Sequence, residues 1–256
     1  MLTIGITTFK RRFELVESLI KKIKTFEPNI EIILTINADY KEAFDEEYRS
    51  KILLLASQTK NCFPIVFPSF TGLSKMWNSM ILNSSNEFIL VLNDDIELEN
   101  QNIITLMEQE LLGIKNNNNL ESELFLINGS WSHFVASKKI IDELGYFDER
   151  LLAFGEEDGD MVWRYQNKYG KKIKAIKIDG ITNIQEGYKI PHKNMQIEDV
   201  NKTRFVPRFN RNFIKEKYHK CLWGIKGMFD CRVKEVIPNL KQYPYEQFKR
   251  ENYDKM

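Results

Sequence analysis

Apolar runs alternate with segments of helical periodicity through the first part of the chain. Leu2 to Thr8 and Glu31 to Ile36 are short, mostly apolar segments typical of strands buried in a sheet. Between them, apolar residues recur every three or four positions from Phe13 onward, which predicts an amphipathic helix. Strands that alternate with helices in this way favour a largely parallel sheet with right-handed connections.

The same pattern continues to the middle of the chain. Lys51 to Ala56 and Phe63 to Phe67 are short apolar segments that we expect to form strands, the second near an edge because prolines bound it. Helical spacing returns after Gly72, so one face of that helix should pack on the sheet. Phe88 to Leu92 is an unbroken apolar run and predicts a buried strand.

The second half begins after the asparagine-rich run at 116–119, which we expect to be a loop. Leu124 to Ile127 is a predicted strand, and Ser137 to Leu144 a helix with a serine N-cap. Glu156 to Tyr169 is a longer predicted helix that ends at Gly170. We therefore expect one α/β domain over residues 1–200, in halves 1–100 and 101–200, with a helical C-terminal extension at 201–256.

Composition and charge narrow the class of protein. The chain has 256 residues, of which 43% are hydrophobic, enough for a substantial core. With 37 basic and 36 acidic residues, the net charge of +1 gives no reason to expect nucleic-acid binding. The distribution is uneven, because residues 201–256 carry 14 basic and 6 acidic residues while the remainder is acidic.

The cysteines and the hydropathy pattern bear on location. Cys62, Cys221 and Cys231 form no CxxC pair, so neither a zinc site nor a disulfide framework is indicated. The N-terminus becomes charged after nine residues, and no apolar stretch approaches about 18 residues. We expect a cytoplasmic protein.

Two adjacent carboxylates, Asp94 and Asp95, follow the buried strand at Phe88 to Leu92. Ligands of parallel sheets collect at the carboxyl ends of the strands. Neighbouring anions repel each other unless a cation stands beside them, and carboxylates are preferred ligands of Mg²⁺ and Mn²⁺. The pattern predicts a divalent metal site; the alternative is a solvated turn after a core strand.

A second acidic cluster comprises Glu156, Glu157, Asp158 and Asp160 at the start of the long helix. Acids at a helix N-terminus stabilise the helix, and Asp160 with Arg164 is an i, i+4 ion pair worth about 0.2 to 0.5 kcal/mol. A carboxylate near a helix N-terminus is also held ionised, the state that a general base requires.

Four landmarks in order resemble glycosyltransferase family 2, with the GT-A fold, from about Leu2 to about Lys177. They are TTFKR at 7–11, GLSKMWN ahead of NDDIEL, GYFDERL at 145–151, and GEEDGDMVWR after it. The resemblance implies a Rossmann-like, mostly parallel sheet flanked by helices, with a nucleotide-binding first half and an acceptor-binding second half. It implies a metal-dependent, inverting transfer of a sugar from a nucleotide-diphosphate sugar, expected to be UDP-linked, to a saccharide or lipid-linked saccharide in surface glycan synthesis.

The resemblance assigns roles to individual residues. Asp95 matches the direct ligand of Mn²⁺ or Mg²⁺, and Asp94 the partner of the ribose. Asp158 matches the catalytic base, which takes a proton from the acceptor hydroxyl. Glu157 and Asp160 would shape the acceptor pocket.

The nucleotide site would be formed by the first two strand ends. Residues expected to contact the nucleotide are Thr7, Thr8, Phe9, Arg11 and Asn37, with Asp39 as a substitute for the base reader. Family members often have proline at the position of Thr8 and an aspartate that reads uracil at the position of Asn37, so the identity of the base stays open.

Other positions extend the expected site. Gly129 and Ser130 match the loop where the donor sugar rests, and Trp131 is available to stack on a sugar face, or else is a buried turn tryptophan. His192 matches a further metal-ligating histidine of some relatives; the alternative is a solvated loop histidine.

The basic C-terminal extension mixes arginine and lysine with aromatic residues. Such a surface suits anionic lipid headgroups at the inner face of a membrane or a diphosphate-linked acceptor. The alternative is a pair of helices packed on the core.

Two other functions stay open at this point. A nucleotidyltransferase acting on sugar phosphates would normally have a glycine-rich loop after its first strand, whereas TTFKRRF contains no glycine. A catalytically silent sugar-nucleotide or glycan-binding module would keep the metal acids and tolerate the loss of Asp158, which is present.

Overall fold

The computed structural model describes residues 2–8, 13–38, 45–117, 119–184 and 205–218. Its strands are β1 Leu2–Thr8, β2 Glu31–Ile36, β3 Cys62–Val66, β4 Phe88–Asn93, β5 Ile96–Leu98, β6 Leu124–Ile127, β7 Ser130–Ser137, β8 Lys174–Ile176 and β9 Ile181–Asn183. Its helices are α1 Phe13–Phe26, α2 Glu46–Gln58, α3 Leu73–Asn83, α4 Ile103–Asn116, α5 Lys138–Leu144, α6 Glu157–Tyr169 and α7 Phe205–Lys217.

Seven strands form the central sheet, in the order β3-β2-β1-β4-β7-β6-β8. The four strands from β3 to β4 are parallel, β7 runs antiparallel to both of its neighbours, and β8 is parallel to β6. A separate antiparallel pair joins β5 to β9. The prediction of an α/β fold with a mostly parallel central sheet is confirmed.

Helices cover both faces of the sheet. Apolar residues of α1, α2 and α4 form one buried cluster with the sheet, and those of α3, α5 and α6 form the other. On the second face Gly5 allows α3 to approach closely, because a Cβ added there would lie 2.8 Å from Met80 Sδ. Near-continuous burial along β1, β2 and β4 follows from this double cover and explains their apolar sequences.

The prediction of a strand over Lys51–Ala56 is wrong, because this segment is the middle of α2. Asp45 caps that helix and accepts a hydrogen bond from Tyr48 N at 3.0 Å. Tyr48, Ile52 and Leu55 are buried at helical spacing, a period that the five-residue apolar run from Ile52 to Ala56 is too short to reveal.

Other predicted boundaries agree closely with the structure. Ser137 caps α5 and accepts from Ile140 N at 3.0 Å, and Gly170 ends α6 with a φ of 70°. The sequence pattern does not predict α4, β5, β7, β8 or β9. Within the described residues, no helix is long and apolar enough to cross a bilayer.

Candidate active site

The carboxyl ends of β1, β2 and β4 meet at one edge of the sheet, here called the carboxyl edge. The parallel register places Thr7 beside Asn93, and Thr7 Oγ1 donates to Asn93 Oδ1 at 3.3 Å. Because β2 pairs with β1 on the other side, the end of β2 reaches the same edge. This is the edge at which parallel sheets bind ligands.

Asp94 and Asp95 lie at the carboxyl edge, in the turn between β4 and β5. Their exposed fractions are only 1% and 3%. The pairing of β5 with β9 fixes this turn, and Ile184 N donates to the main-chain oxygen of Asp95 at 2.8 Å. The solvated-turn alternative does not describe these residues, since both side chains are buried.

The donor set fits a divalent cation that completes its coordination with other oxygen atoms. Mg²⁺ and similar ions are commonly held by one or two carboxylates together with phosphate oxygens of a substrate. Among the described residues, no group of three or more histidine, cysteine, aspartate or glutamate side chains is placed to hold a metal by itself. The predicted ligand His192 lies outside the described residues.

Asn37 follows β2 at the carboxyl edge, with its side chain turned into the protein. Its Nδ2 donates to Thr71 O at 2.8 Å, and its Oδ1 accepts from Thr71 N at 2.9 Å. With 1% exposure and its amide bonded at both ends to the main chain, Asn37 joins β2 to the loop ahead of α3. The geometry gives Asn37 this structural role, and its contact with a nucleotide base stays a prediction.

Thr8 ends β1 and is completely buried, with Oγ1 2.9 Å from the hydroxyl of Tyr48 on α2. Sequence reasoning missed Tyr48 because it assigned the following residues to a strand; the helical period and the capping Asp45 were the available signal. The other predicted nucleotide contacts, Phe9, Arg11 and Asp39, lie outside the described residues.

Gly129 lies in the turn from β6 into β7, and Ser130 and Trp131 are the first two residues of β7. Gly129 has a φ of 75°, and Ser130 Oγ lies 2.7 Å from Ser132 Oγ. The Trp131 ring is half-buried and stacks on Trp77 with centroids 6.4 Å apart. Trp131 is therefore anchored in the core, as the turn-tryptophan alternative expects, while part of its surface remains exposed.

The segment 151–156, here called the base loop, leads into α6 and the acidic cluster. It is linked to the carboxyl edge through the main chain, because Leu73 N at the start of α3 donates to Ala153 O at 2.8 Å. The loop ahead of α3 is itself bonded to Asn37 at the end of β2. These contacts tie the base loop, which leads into α6, to the loop between the end of β2 and the start of α3.

Burial changes the proton affinity of the acids that begin α6. It raises the pKa of Asp158, although the main-chain N–H of Gly159, which donates to Asp158 Oδ1 at 2.8 Å, acts in the opposite direction. Burial and the neighbouring charge of Asp158 raise the pKa of Glu157 to about 8. For both carboxyl groups desolvation outweighs the hydrogen bonds from the main-chain N–H groups, so that both pKa values lie above the ordinary ones.

Asp160 is fully buried and bonded on all sides. Its Oδ2 accepts from Arg164 Nη2 at 2.8 Å, and its Oδ1 accepts from the Tyr218 hydroxyl and Lys217 Nζ, each at 2.7 Å. Burial acts to raise the pKa of Asp160, but the charges of Lys217 and Arg164 hold it below the usual value. Asp160 thus anchors α6 to α7, and its part in shaping the acceptor pocket stays a prediction.

Lys217 extends this network to the GYFDERL segment. Its Nζ contacts Asp148 Oδ2 at 2.8 Å, and Arg150 binds the same carboxylate at 2.7 and 2.5 Å. Burial opposes ionisation of Asp148, yet Lys217 and Arg150 keep its pKa well below the usual range. Sequence reasoning missed Lys217, because a lysine in a basic segment carries no sign that it will be buried.

Comparison with known proteins identifies the architecture. No protein-family model matches the sequence, and no curated protein matches it either. Solved structures do match. Glucosyl-3-phosphoglycerate synthase from Mycobacterium tuberculosis, in complex with Mn²⁺, UDP-glucose and phosphoglyceric acid, is 9% identical with a TM-score of 0.55, over 94% of this chain and 90% of that one. The chain has a GT-A fold.

Two further structures share the GT-A fold with this chain. The same synthase in complex with Mn²⁺, UDP and glucosyl-3-phosphoglycerate gives a TM-score of 0.56 at 9% identity, over 84% of this chain and 79% of that one. S. aureus TarS 1–349 gives a TM-score of 0.50 at 12% identity, over 70% of this chain. This chain spans 59% of the TarS structure's length. At such low identity the similarity establishes the fold alone.

Proposed function

We propose that this protein is a metal-dependent, inverting glycosyltransferase that takes a sugar from a nucleotide-diphosphate sugar. One observation carries the proposal: in a GT-A fold, the buried Asp94 and Asp95 follow β4 at the carboxyl edge, and the loop that leads to Glu157 and Asp158 is hydrogen-bonded to the start of α3. The solved structures with this fold that are named above include complexes with Mn²⁺ and UDP or UDP-glucose. We accordingly propose a UDP-linked donor.

The chain's own residues divide the work of the reaction. Asp95 would ligate Mn²⁺ or Mg²⁺, and Asp94 would accept a hydrogen bond from the ribose. A cation bound there supplies positive charge for the departing diphosphate. Thr7 and the other residues of the first strand end would lie along the nucleotide, and Gly129 to Trp131 would border the donor sugar.

Asp158 acts on the opposite face of the sugar. The acceptor oxygen forms a bond to C1 as the bond from C1 to the diphosphate oxygen breaks, and the hydroxyl proton passes to the Asp158 carboxylate. Attack opposite the leaving group inverts the anomeric carbon. Burial of Asp158 favours this step because it raises the proton affinity of the base.

Glu157 takes a different part. With a pKa near 8 it carries a proton at neutral pH, so the site holds one anion fewer than its sequence indicates. A neutral carboxyl group there can donate a hydrogen bond to an acceptor hydroxyl, and it limits repulsion of the negative donor.

The proposed glycosyltransferase function also assigns roles to the parts of the chain and a class of acceptor. We propose residues 1–100 as the nucleotide half, 101–200 as the acceptor half and 201–256 as an extension packed on the same domain. The acceptor is proposed to be a saccharide or lipid-linked saccharide of a surface glycan, with the protein in the cytoplasm and its basic segment in peripheral contact with the membrane.

The test separates binding from transfer. Release of UDP from a panel of UDP-sugars, in the presence of saccharide acceptors, is measured with the wild type, Asp158→Asn and the exposed control Asp179→Asn. We expect Asp158→Asn to lower kcat by about 100- to 10,000-fold, the range for general base catalysis, while UDP affinity stays nearly unchanged. The control should match the wild type.

Two results would contradict the proposal. Equal losses of UDP affinity and kcat in Asp158→Asn would remove Asp158 from the role of base. A wild type that binds UDP with Mn²⁺ but releases none from any donor would favour the silent sugar-nucleotide-binding module.

A further inference from the structure

Asn210 of α7 holds the main chain of the base loop. Its Oδ1 accepts from Leu152 N at 2.8 Å, and its Nδ2 donates to Leu152 O at 2.8 Å and to Gly155 O at 2.9 Å. The side chain is completely buried. A single amide therefore satisfies three main-chain groups within four residues of the loop.

The main chain that Asn210 holds has an unusual conformation. Ala153, Gly155 and Glu156 all have positive φ, at 47°, 104° and 77°. Non-glycine residues persist in left-handed conformations only where their surroundings impose them. The three hydrogen bonds of Asn210 fall on the residues just before and within this turn and supply such a constraint.

The base loop is also held from its other side. Leu73 N on α3 donates to Ala153 O at 2.8 Å. Val206 on α7, Met76 on α3 and Leu152 in the loop belong to one buried apolar cluster. The base loop is thus held between α3 and α7.

Asp158 stands three residues after Gly155, at the start of α6. The direction of its carboxylate depends on how the chain enters the helix, and the base loop sets that entry. A displacement of about 1 Å in a reacting group can cost on the order of 100-fold in rate. Asn210 can therefore affect the rate indirectly, through the main chain of the base loop to which its amide is bonded.

We propose that Asn210 is a positioning residue, which fixes the base loop so that Asp158 faces the acceptor hydroxyl. The proposal rests on the proposed function in so far as Asp158 is the base. It adds that the C-terminal helix takes part in the reaction through the loop geometry.

The variants are Asn210→Ala and Asn212→Ala, the latter an exposed asparagine on the same helix. We expect Asn210→Ala to lower kcat by about 10- to 100-fold with little change in the KM of the donor, because misplacement of the base acts on the chemical step. Asn212→Ala should retain the wild-type values. Asn210→Asp keeps the acceptor for Leu152 N but loses the hydrogen bonds donated to Leu152 O and Gly155 O. We expect it to lower kcat as well.

A stability control separates positioning from general destabilisation. Leu111→Ala opens a cavity in the core on α4, away from the base loop, and lowers the thermal midpoint. Well below that midpoint it should keep wild-type kcat. An equal relative loss of kcat in Leu111→Ala and Asn210→Ala, at matched stability, would overturn the positioning role.

Amide hydrogen exchange gives a readout independent of activity. We expect faster exchange at Leu152 N in Asn210→Ala than in the wild type or Asn212→Ala, because its acceptor has been removed. Unchanged exchange together with unchanged kcat would overturn the proposal. Should the wild type transfer no sugar at all, the proposed function fails, and exchange at the base loop still decides whether Asn210 holds it.

Discussion

The carboxyl edge and the start of α6 both present adjacent acids, yet the protein holds these acids by different means. Asp94 and Asp95 follow a strand of the central sheet, and the pairing of β5 with β9 fixes their turn. The acids of α6 depend on contacts from distant segments, namely Asp148, Lys217 and Asn210. One region is built by the sheet itself, and the other is assembled around the C-terminal helix.

Within α6 the contrast is sharper still. Asp158 and Asp160 are two residues apart, but only Asp160 is bound by Lys217, Tyr218 and Arg164. The charges of Lys217 and Arg164 hold the pKa of Asp160 below its usual value, while burial raises the pKa of Asp158. Two aspartates in one helical turn thus divide into a structural anion and a candidate base.

The largest effect on stability should come from breaking the network around α7. Lys217→Met leaves Asp148 and Asp160 buried without one of their cations, and we expect it to lower the free energy of unfolding by about 3 to 5 kcal/mol. Urea denaturation measures the change. The exposed Lys172→Met should stay within about 0.5 kcal/mol of the wild type. A Lys217→Met variant as stable as this control would contradict the claim that contacts from α7 stabilise the buried carboxylates Asp148 and Asp160.

A smaller effect is expected at the carboxyl edge. Asn37→Ala removes both hydrogen bonds to the Thr71 main chain, and leaving these buried groups unsatisfied should cost about 1 to 3 kcal/mol. Urea denaturation again gives the value, with the exposed Asn83→Ala as the matched control. If Asn37→Ala weakens UDP binding without a loss of stability, Asn37 reads the nucleotide after all.

The features that the sequence predicts differ from those that it does not predict in how far apart the interacting residues lie along the chain. The strand at Phe88 to Leu92, the acidic turn after it and the start and end of α6 were predictable, because each depends on residues close in the chain. Burial of Lys217 and the bonds of Asn37 and Asn210 were not, since the partners of each lie tens of residues away. The prediction of a strand from Lys51 to Ala56 is wrong because a run of five apolar residues fits either a strand or a helix.

A further prediction is a pH dependence of stability that separates Glu157 from its neighbours. The pKa of Glu157 is about 8 in the folded protein against 4.5 for the unperturbed group. Between these values the unfolded chain releases a proton that the folded protein keeps, so stability falls as pH rises. In Glu157→Gln this loss is absent.

Urea denaturation at pH 5 and pH 8 tests this prediction. The stability of Glu157→Gln relative to the wild type should increase from pH 5 to pH 8. A difference that stays constant, or that shrinks as pH rises, would show that Glu157 is ionised in the folded protein at neutral pH.

The most direct test of the account is calorimetric titration of the wild type and Asp95→Ala with UDP, with Mn²⁺ and again with chelator, using GDP, CMP and TDP as comparators. We expect the wild type to bind UDP selectively and only with the metal, and Asp95→Ala to lose this metal-dependent affinity. Wild-type affinity in Asp95→Ala, or equal affinity with and without Mn²⁺, would contradict a metal-dependent nucleotide site at the carboxyl edge.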